Sequence, residues 1–147
     1  MLRITLAAAL LLGLAGTAQA QWIEELDTWE QQVQRQLYMH RARMDLENMT
    51  HKVTYGSLDE GENEVLRVDL ESGEEYTLLA VCDNDCTDID LEIFDDDGDS
   101  VDSDYLVDDY PIVSVSPRRD QTYRLHVSMA SCSVEPCRFA VAVFSGR

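Results

Sequence analysis

The side chains that could do chemistry are mostly carboxylates. From Asp85 to Asp104 the chain reads D-C-T-D-I-D-L-E-I-F-D-D-D-G-D-S-V-D-S-D, densest at Asp95-Asp96-Asp97-Gly98-Asp99. Clustered carboxylates repel one another and a divalent ion relieves that cost. Asp95, Asp97 and Asp99 are therefore candidate ligands for Ca2+, which is abundant outside the cytoplasm. An EF-hand is excluded. With Gly98 at the sixth loop position the first ligand would be Ile93, and the flanks read as strands. The competing reading is a turn, where Asp and Gly are favoured for backbone reasons alone.

Catalysis has little to stand on. A glycosidase needs two carboxylates flanking a cleft, but residues 59–109 hold 21 acids and one base, so pairs arise from abundance. There is no Gly-rich phosphate loop, no H-E-x-x-H and no G-x-S-x-G. The histidines are His40, His51 and His126. His126 alternates with Tyr123, Leu125 and Val127, so it shares a face with Arg124 and Ser128 and points to solvent. A non-enzyme is expected.

Cys82-x-x-x-Cys86 and Cys132-x-x-x-x-Cys137 form two close pairs, each around a turn-like segment between apolar runs. Local disulfides, 82 to 86 and 132 to 137, are the favoured pairing of the three available. Loops this short gain about 2 kcal/mol each on a chain-entropy model, enough to pin loops more than to staple a domain. A four-cysteine zinc site is the rival, but the spacings are not the usual C-x-x-C knuckles.

The elements that position these groups begin after a leader. Arg3, an apolar run to Gly16 and Ala18-Gln19-Ala20 read as a cleavable signal peptide over residues 1–20, too short in its core to span a bilayer. A periplasmic or secreted protein, not inserted in the membrane after cleavage, is expected. The whole chain carries a formal charge of −18, a field that repels phosphate backbones and anionic headgroups and disfavours nucleic acid. A protein or envelope component, cationic in character, is the expected partner. A solvated surface with no dedicated partner is the plainer alternative.

Residues 21–51 lack Gly and Pro and are rich in helix formers, and Trp22, Leu26, Trp29, Val33, Leu37 and Met44 make one apolar stripe. One amphipathic helix is predicted, with Trp22 and Trp29 as candidate partner-binding residues if the stripe does not pack on its own domain. From residue 52 to 147 the period becomes two. Leu66–Leu70, Leu91–Ile93 and Tyr123–Val127 alternate apolar with polar, whereas Tyr76–Val81 and Phe139–Phe144 are continuous apolar runs expected to be covered on both faces. With turns at residues 59–63, 71–74, 95–99 and 116–120, about seven or eight short strands predict a mainly β fold, an antiparallel β-sandwich behind the helix.

Three stretches resemble the bacterial pre-peptidase C-terminal domain, a jelly-roll-like sandwich appended to many secreted proteases. They are Gly73-Glu74-Glu75-Tyr76-Thr77-Leu78, the run Asp88-Ile89-Asp90-Leu91-Glu92-Ile93-Phe94-Asp95-Asp96-Asp97-Gly98, and Thr122-Tyr123-Arg124-Leu125-His126-Val127. The resemblance covers about residues 53–144. It implies a non-catalytic accessory module that binds a surface or substrate, or that aids secretion or maturation of an enzyme. Only a helix precedes the domain here, so the implied role is a stand-alone binding module, or an acidic inhibitor or regulator of a cationic exported enzyme.

Overall fold

A capping box starts the helix. Thr28 Oγ1 accepts from the backbone N–H of Gln31, and Gln31 Oε1 accepts from that of Thr28, closing the first turn of α1 (Trp29–Arg43). The computed structural model describes residues 28–146; Trp22, Leu26 and the leader lie outside them. Glu30 sits in the first turn and His40, Arg41 and Arg43 in the last, the order the helix dipole favours.

The helix stops well short of residue 51. Asp45 adopts φ 58°, and the N–H groups of Asp45 and Leu46 donate to the carbonyls of Ala42 and Arg41, a Schellman closure with Asp in the usual glycine place. With neither Gly nor Pro in this segment, composition concealed the stop. Asp reaches the left-handed region more readily than most side chains.

Nine strands follow: β1 (Asn48–Met49), β2 (Thr54–Leu58), β3 (Asn63–Leu70), β4 (Tyr76–Cys82), β5 (Cys86–Phe94), β6 (Ser100–Asp104), β7 (Ile112–Val115), β8 (Gln121–Cys132) and β9 (Cys137–Ser145). One sheet runs β1-β9-β4-β7, with β2 also on β9, and the other runs β3-β8-β5-β6. All pairings are antiparallel, and the two sheets form the expected sandwich. Its interior holds Leu78, Ala80, Phe139 and Val143 from the first sheet against Ile89, Leu91, Ile93, Leu125 and Val127 from the second. Each such large side chain contributes about 1.5–3 kcal/mol by leaving water.

The continuous apolar runs are explained by a third layer. Val33 and Leu37 of α1 are buried on Leu79, Val81, Ala140, Ala142 and Phe144, the outer face of β4 and β9, with Trp29, Met44 and Leu46 partly buried at the margin. These two strands are covered by a sheet on one side and a helix on the other. Alternation survives only where one face meets solvent.

Both expected disulfides are formed, Cys82–Cys86 and Cys132–Cys137. Their role differs from the expectation. Cys82 ends β4 in the first sheet and Cys86 begins β5 in the second, while Cys132 ends β8 in the second and Cys137 begins β9 in the first. Cys86 and Cys132 are also cross-strand partners. Short in sequence, the two bonds clamp sheet to sheet at one end of the sandwich.

Two of the nine strands, β1 and β6, have no apolar alternation to mark them in the sequence. In β6 the pairings Leu91 with Asp104 and Ile93 with Asp102 put aspartates on the inner face of an edge strand. There Asp102 Oδ2 accepts from Ser114 N (2.7 Å) and Asp104 Oδ2 from Ile112 N (2.9 Å), the N–H groups on the unpaired side of β7. Carboxylates thus close the sandwich edge where apolar side chains would leave an open ladder.

Candidate functional site

The acidic stretch divides into a turn, an edge and a loop. In the turn, Asp95 Oδ1 accepts from the backbone N–H groups of Asp97 (3.1 Å), Gly98 (2.9 Å) and Asp99 (2.9 Å), and Gly98 takes φ 95°. This Asp-led turn is the local solution the backbone favours. Asp96 pairs with Arg119 at 2.8 Å, and Asp97 lies 3.9 Å from the same guanidinium. Asp95, Asp97 and Asp99 are neighbours in one turn, but among the described residues no three acidic, His or Cys side chains converge on a point that could hold a metal. The nearby depression, lined by Arg67, Asp69, Asp96, Asp97, Thr122 and Arg124, is open to solvent and of mixed charge.

On the outer face of the second sheet, Glu92 accepts from Ser100 Oγ (2.6 Å) and from the Tyr105 hydroxyl. These bonds, Ser100 first, hold Glu92 below its usual range, and the bond to Glu92 pushes Tyr105 up to about 12. His126 is the cross-strand partner of Glu92 and packs on Phe94 at 4.6 Å between ring centroids, on the face opposite the core as its alternation predicts. Asp88 and Asp90 on the same strand are raised, first by burial and then by neighbouring carboxylates, Asp108 for both and Asp88 and Asp104 for Asp90.

The β6–β7 loop is built by this acidic surround. Leu106 N donates to Asp104 Oδ1 and Asp108 N to the Leu106 carbonyl; Tyr110 N donates to Asp108 Oδ1, while the Asp108 carbonyl takes the Ile89 N–H at 3.1 Å. At one end Tyr105 is tied to Glu92. At the other, Tyr110 stacks on His40 of α1 at 4.0 Å and 19°. Between these anchors Leu106 is 67% and Val107 84% exposed, with Tyr105 at 59%. A run of three exposed large apolar residues is uncommon without a purpose. The sequence reading missed this loop because Y-L-V-D-D-Y fits neither period; its signal was an apolar triplet enclosed by four aspartates.

No family model matches the chain, and no curated protein matches it. Among solved structures, the P-domain of Macrobrachium rosenbergii nodavirus is similar at 13% identity, over 65% of this chain and 94% of that one, with a TM-score of 0.28. That degree of superposition carries no argument about function.

Trp29, the candidate partner residue within the described chain, is half-buried. It meets Tyr55 edge-on at 6.4 Å, and the Arg138 guanidinium lies 5.5 Å from its ring centroid. Its ring is engaged by its own domain. No described helix is long and apolar enough to cross a membrane.

Proposed function

We propose that this protein is an exported, non-catalytic binding module that contacts another protein, or a component of the cell envelope, through its acidic surface. The observation that carries this reading is the loop of residues 105–110, where apolar side chains are held in solvent among carboxylates by backbone bonds to those same carboxylates. Two disulfides suit an oxidising compartment, periplasmic or extracellular. The resemblance to pre-peptidase C-terminal domains supports an accessory role. Charge steering would speed encounter with a cationic partner and weaken with salt.

Affinity capture from envelope extracts tests this. A reproducible partner retained at about 0.05 M salt and shed by about 0.5 M is expected. Failure to recover one protein or envelope component consistently at either ionic strength would sink the reading. If the partner is a cationic enzyme, titrating its activity distinguishes regulation from simple attachment.

A further inference from the structure

We propose that residues 105–110 form a preorganised docking tip whose partner is a protein segment combining aliphatic side chains with Lys or Arg. This deepens the binding-module reading and rests on it. Leu106 and Val107 belong to neither buried cluster of the fold, so their apolar character serves nothing inside the molecule. Polar residues there would favour solubility. The loop's conformation is set before any partner arrives: Asp104 and Asp108 cap its turns, Glu92 holds Tyr105, and His40 holds Tyr110. Fixing a loop in advance reduces the ordering cost of association.

The surroundings choose the occupant. Asp104 and Asp108 lie within electrostatic reach of Asp90, and Asp90 within reach of Tyr105. Asp108 and Asp109 face His40 with Arg43 the cation at that end, and residues 100–117 themselves hold no Lys or Arg. An anionic lipid surface would be repelled by this ring. A second copy would bring two carboxylate rings together. A cationic, aliphatic segment satisfies both the ring and the tip. With so few apolar side chains offered, the contact is small and the affinity modest, in the micromolar range at about 0.15 M salt.

The test uses the purified protein and a Leu/Lys amphipathic peptide about four helical turns long, with Lys/Ser and Leu/Glu peptides of equal length as controls. The Leu/Lys peptide should bind, shifting backbone amide resonances chiefly at residues 105–110. The double substitution Leu106→Ser with Val107→Ser should melt like wild type and bind it at least about tenfold more weakly. The Lys/Ser peptide should bind both proteins weakly and equally, and the Leu/Glu peptide neither. Equal affinity of wild type and double variant for the Leu/Lys peptide, or shifts centred elsewhere, would overturn the proposal. So would co-sedimentation with phosphatidylcholine vesicles containing about a quarter phosphatidylglycerol, or a dimer that the double variant abolishes. If envelope capture recovers one partner with wild type and double variant alike, the module reading survives and the docking tip does not.

Discussion

Asp95 shows how one carboxylate can serve as backbone scaffolding. Its Oδ1 holds three consecutive N–H groups, so Asp95→Ala should cost about 1–3 kcal/mol. Asp95→Asn keeps an acceptor in place and should melt close to wild type. Thermal denaturation of both variants checks this, and repeating it with millimolar calcium checks the remaining role. A wild-type melting temperature raised by calcium, with no rise in Asp95→Asn, would make the turn a metal site. Trp29 poses the corresponding question for an apolar residue. Because its ring packs between Tyr55 and Arg138 and against the helix–sheet cluster, Trp29→Ala should destabilise by about 1–3 kcal/mol. A variant that melts like wild type but loses a partner would reassign it to recognition.

At the level of elements, legibility followed solvent. β3, β5 and β8 were readable because each presents one face to water and one to the core, and β4 and β9 because two covering layers erase the alternation. The helix start was blurred by good helix formers on both sides of Thr28, and its end by a Schellman turn without glycine. β6 was illegible for a more instructive reason: its inward positions, 102 and 104, answer to backbone N–H groups on β7 and not to the core. Asp104→Ala removes the acceptor for Ile112 and Leu106 together and should lower stability by about 1–3 kcal/mol, measured by urea unfolding. Restoring a regular apolar pattern with Asp102→Val and Asp104→Val should do worse, and should promote aggregation through the uncovered edge. Preserved stability and solubility in that double variant would refute the edge-closing role of Asp102 and Asp104. The apolar triplet of this loop stood in the sequence without a period to place it, because its conformation depends on acceptors from β5 and β6 and on a ring stacked from α1.

For the molecule as a whole, charge and burial set opposing responses to pH. Burial lowers His40 below its ordinary 6.5, with Arg43 adding to the effect and Asp109 and Asp108 opposing it. A histidine kept neutral in the fold contributes stability that is fully present above about pH 6.5 and is lost as pH falls through the window beneath it. Asp83, Asp88 and Asp90, raised above 3.8 chiefly by burial, act in the other direction. Their contribution is complete below 3.8 and is lost as pH rises through their raised range. Stability should therefore decline on mild acidification from pH 7, by no more than about 1.4 kcal/mol per pH unit for this single proton. His40→Phe keeps an aromatic ring against Tyr110 and should flatten that decline. Denaturant midpoints from pH 7 to 5 decide the matter; an unchanged slope in the variant would assign the response to other groups.

The position of β9 has a consequence for how the chain is made. This strand lies between β4 on one side and β1 and β2 on the other, and Ala140, Ala142 and Phe144 form part of the seat for α1. Among the described elements it is also the one furthest along the sequence. While residues 137–145 remain in the exit tunnel, β1 and β2 have no neighbour, half the helix seat is missing and the second disulfide has one cysteine. Pairings between segments this far apart in sequence close a long loop and carry a high entropic cost. A chain ending at Pro136 should accordingly show neither a cooperative melt nor dispersed amide resonances, and a sharp transition in it would contradict this order of events. The emerging polypeptide therefore stays pliable until residues 137–145 are free to pair with β1, β2 and β4.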